Sequence, residues 1–178
     1  MSRHFRRLSL AQGASLCLFG VLVGLALLIV APRIRLFPLD ALFILAAWFC
    51  IWFFSHDLAH HIVGRIVGVS FRYYFLGRSA ITKMNLPVVS NLLREVPVLG
   101  LKIDKSSLTL ISPNNVRAMY ASGAVSSMLL PWVIIPAGYA ISFPVGILLI
   151  ILTVANDLFT LYFSPKVGDF HQVRMVRG

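Results

Sequence analysis

Three histidines and an aspartate are crowded into one short polar window of an otherwise apolar sequence, His56-Asp57-Leu58-Ala59-His60-His61. His56 and His60 are four residues apart, a spacing that places two side chains on the same face of a helix. Two imidazoles arranged in this way can bind one metal ion. Asp57 carries a carboxylate on the adjoining face, where it could accept and return a proton. His61 faces away from His56, and we expect it at the membrane interface.

Two aspartates later in the chain are candidates for a third metal ligand. Asp157 lies within an apolar run, where an ionisable residue is costly and therefore indicates a functional site. Asp169 follows Ser164-Pro165-Lys166-Val167-Gly168 and should lie near the same surface. Asp157 is preferred for its depth in the membrane, and Asp169 is the second choice. Two histidines and one carboxylate around a single Zn²⁺ leave a fourth position open, which is typical of catalytic zinc sites.

Two other interpretations of the polar window involve no zinc. The histidines and an aspartate could form a hydrogen-bonded cluster that only fixes helix packing. A haem or chlorin ligand is also conceivable, but two histidines on one helix face cannot bind opposite faces of one macrocycle. That interpretation therefore needs a single axial histidine.

The composition indicates an integral membrane protein. The 178 residues are 58% hydrophobic and 12% charged, with a mean hydropathy of +0.86, whereas soluble domains are about 45–50% apolar and about 25% charged. An ordinary soluble globule and a disordered chain are both excluded. The net charge is +10, but the basic residues lie between apolar runs and form no RNA-binding motif, so no nucleic-acid partner is expected. The two cysteines lie in apolar runs and suggest neither a metal pair nor a disulfide framework.

The apolar runs predict an all-α integral membrane protein in a single domain covering residues 1–178. About four transmembrane helices are expected, at about residues 12–31, 38–64, 115–137 and 143–163. Ser112-Pro113 has the pattern of a helix start, and the long uncharged interval after Arg117 is divided near residues 138–142. The first run is longer than the roughly 7–15 apolar residues of a signal peptide, so we expect it to be retained.

The segment at about residues 69–112 is expected to be cytoplasmic and irregular, or to contain a β-hairpin. Fourteen lysines and arginines lie in the N-terminus, in the segment from Arg65 to Arg117 and in the tail, whereas only Arg33 and Arg35 lie in the first connection. Basic residues concentrate on the cytoplasmic side of membrane proteins. The chain is therefore predicted to be a multi-pass protein of the cell (plasma) membrane, surrounded by membrane lipids, with both termini cytoplasmic.

Small residues recur every four positions at the start of the third predicted helix, at Ala118, Ser122 and Ser126. Such a pattern lets two membrane helices approach closely. We expect this face to allow the close helix packing that a metal site shared between helices needs.

The ordered set of motifs resembles the site-2 protease family of intramembrane zinc metalloproteases. In that family one span carries His-Glu-x-x-His and a later span carries an aspartate that completes the metal site. Here the corresponding stretches are residues 56–60, 117–124, 156–157 and 165–169. The resemblance implies that His56 and His60 bind zinc, that Asp157 or Asp169 is the third ligand, and that Asp57 occupies the position of the catalytic glutamate.

The resemblance implies hydrolysis of peptide bonds in transmembrane protein substrates near the cytoplasmic face. Aspartate is one methylene shorter than the glutamate of the family, which withdraws the carboxylate by about 1.5 Å. The alternative is therefore a non-catalytic metal-binding or structural accessory subunit, whose partners would be companion subunits of a larger membrane complex. Whether the chain is an enzyme depends on which of these two interpretations holds.

Overall fold

The structure is a computed structural model that describes residues 4–78 and 97–176. A small antiparallel sheet lies beside a bundle of helices. The elements of the described residues follow one another as β1 (His4–Leu8), α1 (Leu10–Ile34), α2 (Leu39–Ile66), β2 (Phe71–Arg78), β3 (Pro97–Ile103), α3 (Lys105–Leu108), α4 (Pro113–Leu129), a 3₁₀ segment (Leu130–Ile134), α5 (Ile135–Ile141), α6 (Phe143–Val167) and α7 (Asp169–Met175).

Four helical stretches of the described residues are long and apolar enough to cross a membrane, as the sequence predicts. They are Leu10–Ile34, Leu39–Ile66, Pro113–Ile141 and Phe143–Val167. Three of them begin at serine caps, Ser9, Ser112 and Ser142, whereas Leu39–Ile66 begins after Pro38 with no side-chain cap. Ser9 Oγ accepts a hydrogen bond from the Gln12 amide at 3.1 Å, and the Gln12 side chain accepts one from the Ser9 amide at 3.0 Å, which forms a capping box.

The third of these stretches is interrupted at Pro131. α4 ends at Leu129, the chain continues as the 3₁₀ segment, and α5 then resumes an α-helical course. Proline has no N–H, so Pro131 cannot donate the usual i→i−4 hydrogen bond to the carbonyl of Ser127. The predicted span at residues 115–137 is therefore not one regular α-helix.

The predicted strand character of the segment after α2 is confirmed. β2 pairs with β3 in antiparallel fashion, while residues 79–96 of the predicted cytoplasmic segment lie outside the described residues. β1, which the sequence did not predict, pairs with the other edge of β2 and gives the strand order β1-β2-β3.

The sheet packs against the end of the bundle that contains the polar window. A register irregularity between Phe71 and Tyr73 allows both Phe71 and Tyr74 to be buried on the same side. The Tyr74 ring fits against Gly13 of α1, where an added Cβ would lie 2.1 Å from the ring. The Phe71 ring fits in the same way against Gly64 of α2.

The opposite half of the bundle is filled by aliphatic side chains. Its buried members come from α1, α2, α6 and the interrupted third helix, and they are Ala31, Ile44, Ala47, Ile51, Ile134, Ile135, Val145 and Leu149. This apolar half holds the helices together. Asp40 in the first turn of α2 is buried there, whereas the histidines of the polar window lie in the half next to the sheet.

Candidate metal centre

His56 and His60 project from the last turns of α2 toward α4. His60 is nearly enclosed, with 11% of its side chain exposed, whereas His56 keeps 35% exposed. The two rings are 4.9 Å apart between centroids and nearly perpendicular, at 87°. The spacing of four residues therefore brings both imidazoles to one place, as the sequence predicts.

Asp169 supplies a carboxylate to the same place. Its Oδ2 atom lies 3.3 Å from Nε2 of His56 and 3.3 Å from Nε2 of His60. These three residues form the one group of possible metal ligands found among the described residues, with ligand atoms within 4.8 Å of one another.

The position of Asp169 is fixed by the turn between α6 and α7. The Gly168 amide donates to the Ser164 carbonyl, and the Phe170 amide donates to Ser164 Oγ, both at 3.0 Å. Arg117 of α4 donates to the main-chain carbonyl of Val176 at 2.9 Å, so α7 is held at both of its ends.

The Nδ1 atoms of both histidines lie next to hydrogen-bond acceptors. His60 Nδ1 lies 2.8 Å from the carbonyl oxygen of Met119. His56 Nδ1 lies 3.3 Å from Ser127 Oγ, and that hydroxyl donates onward to the Ala124 carbonyl. A proton on each Nδ1 leaves the Nε2 lone pair of a neutral imidazole directed at Asp169, which is the orientation expected of a metal-binding histidine.

This arrangement needs a positive charge at its centre. Two imidazole lone pairs and a carboxylate oxygen repel one another unless a proton or a cation lies between them. Two imidazoles and a carboxylate are also ligands that Zn²⁺ accepts in tetrahedral sites, at about 2.0–2.2 Å each. Ligand atoms at those distances are about 3.3 Å apart around a tetrahedral ion, and 3.3 Å is the separation of Asp169 Oδ2 from each Nε2. The donor set is therefore close enough to hold a metal ion, and these two separations suit zinc.

The two histidines lower the pKa of the Asp169 carboxyl. Burial raises the pKa of this carboxyl, but hydrogen bonding and charge from His60, together with the charge of His56, outweigh the effect of burial. The pKa of Asp169 consequently lies below its ordinary value. The carboxylate is thus ionised at neutral pH, as a metal ligand must be.

Gly123 of α4 makes room for the His60 ring. An added Cβ at Gly123 would lie 2.1 Å from Nε2 of His60. Met119, Gly123 and Ser127 of α4, which face the two histidines, are all buried. Two members of the predicted small-residue face also contact α2: Ser126 Oγ lies 3.2 Å from the Ser55 carbonyl oxygen, and Ser122 Oγ lies 3.5 Å from His60 Nδ1. The third, Ala118, is exposed.

Asp57 and His56 line a cavity of about 640 Å³ that also reaches Asp169. Asp57 is 7% exposed. Val98 and Leu99 of β3 form part of the cavity wall, and its aromatic lining comes from α2 and α6, from Trp48, Trp52, Phe53, Phe159 and Phe163. The cavity is therefore mostly apolar, and His56, Asp57 and Asp169 are among its polar lining residues.

Asp157 does not lie at this centre. Its Oδ2 accepts a hydrogen bond from Trp132 Nε1 at 3.0 Å, and its Oδ1 accepts one from Asn156 Nδ2 at 3.3 Å. The preference for Asp157 over Asp169 rested on depth along the helix axis, and depth does not fix the face of the helix on which a residue lies. Asp157 faces the 3₁₀ segment, so Asp169 replaces it as the third candidate ligand.

His61 is turned toward the sheet. Its Nδ1 lies 2.8 Å from the Tyr74 hydroxyl, and its ring packs beside Phe71. The side chain faces away from the candidate centre, in agreement with the helical spacing.

Function has to be inferred from the residues themselves, because no family model, curated protein or solved structure matches the chain. What the residues offer is two histidines and a carboxylate arranged to hold one ion, at the end of an apolar cavity, in a bundle with four helices of membrane-spanning length.

Proposed function

We propose that this chain is a multi-pass membrane protein that binds one Zn²⁺ ion and hydrolyses peptide bonds in transmembrane protein substrates, in the manner of site-2 protease-like enzymes. The observation that carries the proposal is the convergence of His56 Nε2 and His60 Nε2 on one oxygen of Asp169. Asp57, with its carboxylate in the same cavity, supplies the acid–base group.

In peptide hydrolysis, the metal ion and the residues of the protein would have different roles. When bound, zinc acts as a Lewis acid that polarises a carbonyl and activates water. His56, His60 and Asp169 hold the ion, while Met119 and Ser127 fix the orientation of the two imidazoles. Asp57 accepts a proton from the attacking water and returns it to the departing amine, so that the atoms of water are divided between the two products.

The cavity suits an extended apolar peptide. Its aromatic and aliphatic walls exclude bulk water, which strengthens electrostatic interactions within the site. β3 contributes Val98 and Leu99 to one wall, so a peptide lying in the cavity runs beside a strand whose main chain can pair with it.

The distribution of charge supports a cytoplasmic position for the site. Arg6, Arg65, Lys102, Arg117 and Lys166 belong to the same end of the bundle as the sheet, whereas Arg33 and Arg35 close the other end. Basic residues favour the cytoplasmic face and anionic lipid headgroups. Both termini then lie in the cytoplasm, and the protein belongs in the cell (plasma) membrane, with membrane lipids around it.

A second candidate is a metal-binding or structural accessory subunit without catalytic activity. The short side chain of Asp57 favours it, because a general base must come within about 2.6–3.2 Å of the proton it takes. In that case the apolar cavity accommodates a companion membrane subunit rather than a substrate.

Metal analysis of the detergent-solubilised full chain tests the first step. We expect about one zinc per chain in the unmodified protein and none in His60→Ala. Unmodified protein without zinc after reconstitution, or a His60→Ala variant that retains it, would remove the metal centre from the proposal.

Hydrolysis separates the two candidates. A library of quenched-fluorescent apolar peptides is incubated with zinc-loaded protein, with the His60→Ala variant as the blank. Cleavage that depends on zinc supports the peptidase. Bound zinc without cleavage, both in the unmodified protein and in Asp57→Glu, where the longer acid is restored, supports the accessory subunit.

A further inference from the structure

A chain of hydrogen bonds connects Asp157, the aspartate within the apolar run of α6, with the candidate metal centre. Trp132 Nε1 donates to Asp157 at 3.0 Å, and Asn156 Nδ2 donates to the same carboxylate at 3.3 Å. Asn156 Nδ2 also donates to the main-chain carbonyl of Ser127 at 3.0 Å. The Ser127 hydroxyl meets Nδ1 of His56 at 3.3 Å.

The interruption of the helix at Pro131 explains why Asn156 is needed in this chain of hydrogen bonds. The Ser127 carbonyl would normally accept from the amide of residue 131, but that residue is proline and has no N–H. Ser127 is only 4% exposed, so a carbonyl left unpaired there would carry a desolvation cost. The amide of Asn156 supplies the missing donor from the neighbouring helix.

Ser127 is thereby held at two points. Its carbonyl is bonded to Asn156 of α6, and its hydroxyl donates to the Ala124 carbonyl at 3.1 Å. A hydroxyl whose proton is used in this way presents a lone pair to His56, which favours a proton on Nδ1 and leaves Nε2 to face Asp169.

We propose that Asn156 is a positioning residue of the metal centre, which acts through Ser127 on the orientation and tautomer of His56, and that Asp157 with Trp132 orients the Asn156 amide. Asp157 thus serves the centre without touching the ion. The inference rests on the proposed metal site for its effect on affinity, but the tautomer of His56 tests it without a metal.

The first experiment measures Co²⁺ affinity of the full chain in detergent by its visible absorption. Asn156→Leu, which keeps the bulk but removes the donor, should weaken Co²⁺ binding about tenfold or more, the usual loss when a residue behind a ligand is replaced. Ser127→Ala should produce a similar loss. The double variant should bind no more weakly than the weaker single variant, because both changes break one path.

Thr153→Val is the matched control. Thr153 also lies on α6, is fully buried, and accepts a hydrogen bond from Trp48 Nε1 of α2 at 2.9 Å. Its removal breaks a bond between α2 and α6 that does not lead to a histidine. Thr153→Val should lower the thermal stability and leave the Co²⁺ affinity unchanged. A loss of affinity in Thr153→Val equal to that in Asn156→Leu would reduce Asn156 to a packing role.

The second experiment uses ¹⁵N-histidine NMR on metal-free protein, with His56 assigned from the spectrum of His56→Asn. His56 should show a protonated Nδ1 and an unprotonated Nε2 at neutral to alkaline pH. In Asn156→Leu, the ¹⁵N shifts of the two His56 nitrogens should change toward the values of a mixture of tautomers. If Asn156→Leu does not fold, Ser127→Ala serves in its place, with the same expected change. Unchanged ¹⁵N shifts in both variants would overturn the positioning role.

The two readouts separate the two proposals. Unmodified protein that binds no Co²⁺ but shows the tautomer change contradicts the metal site and retains Asn156 as a positioning residue. Protein that binds Co²⁺ equally well with and without the Asn156 amide retains the metal site and contradicts the positioning role.

Discussion

Nδ1 of His60 lies 2.8 Å from the main-chain oxygen of Met119, a residue that is itself 1% exposed. A carbonyl oxygen can only accept, so the proton of a neutral His60 is placed on Nδ1, and the lone pair is left on Nε2, which lies 3.3 Å from Asp169 Oδ2. The fold thus sets this tautomer with a main-chain atom, which no side-chain substitution on α4 can remove directly.

Replacement of the two aspartates distinguishes the ligand from the acid behind it. Asp169→Asn should abolish zinc binding, because it removes the charged oxygen that lies 3.3 Å from both imidazoles. Asp157→Asn should retain about one zinc per chain and lose only part of the affinity. Zinc content of purified protein measures both, and full loss in Asp157→Asn with retention in Asp169→Asn would reverse the assignment.

Gly123→Ala should prevent metal binding while leaving the bundle assembled. The new methyl would lie 2.1 Å from His60 Nε2, and the ring must leave its position to avoid it. Gly138→Ala is the control in the same interrupted helix, since its Cβ would meet the end of the Leu149 side chain at 2.4 Å, away from the histidines. Zinc titration should show lost binding in the first variant and retained binding in the second. Equal zinc affinity in both would show that the ring can move without cost.

The pKa of Asp169 predicts how the stability of metal-free protein depends on pH. Because the pKa of its carboxyl is lower in the folded state than its ordinary value of about 3.9, the carboxylate stabilises the fold above that value. The stabilisation is lost as the pH falls through the folded pKa. The difference in unfolding free energy between unmodified protein and Asp169→Asn should therefore persist down to about pH 4 and shrink below it.

Thermal unfolding in detergent with a chelator present, followed between pH 7 and pH 3, measures this difference. Asp104→Asn is a useful comparison, since the pKa of Asp104 is also lowered, by Arg72 and Ser106, but Asp104 lies at the surface away from the centre. A difference for Asp169→Asn that grows below pH 4 would contradict the predicted direction.

Asp57→Asn should leave zinc bound and remove hydrolysis. The amide has nearly the same shape as the acid but cannot accept a proton from water, whereas the three ligands stay unchanged. Zinc content and peptide cleavage are measured on the same preparation. Cleavage that survives in Asp57→Asn would assign the proton transfer to another group in the cavity.

Much of the helical architecture follows from the sequence because its causes are local. Long uncharged runs predict the four long helices, and Ser112 followed by Pro113 predicts the start of α4, where Ser112 Oγ accepts from the Asn115 amide at 3.4 Å. The strand β1 was missed because its short basic segment was interpreted only as a topology signal. Its pairing with β2 is a long-range contact that no local pattern records.

The set of candidate metal ligands was predicted in part, for a similar reason. A spacing of four residues brings His56 and His60 together on any helix. The third ligand depends on how α6 is rotated and on the turn at Gly168, and neither can be read from depth in the membrane. The small residues Ser122 and Ser126 of the predicted face do contact α2, but the fit of the His60 ring against Gly123 depends on the packed structure and has no signal in the four-residue pattern.

The short helix that begins at Asp169 follows all four long helices in the chain. During synthesis, the two histidines of α2 emerge long before the carboxylate that completes their set. A nascent polypeptide that ends after α6 has both imidazoles but lacks the carboxylate, so it would bind an ion only weakly. If the proposed centre binds a metal ion, loading therefore has to wait until the last of the four long helices and the turn after it have been synthesised.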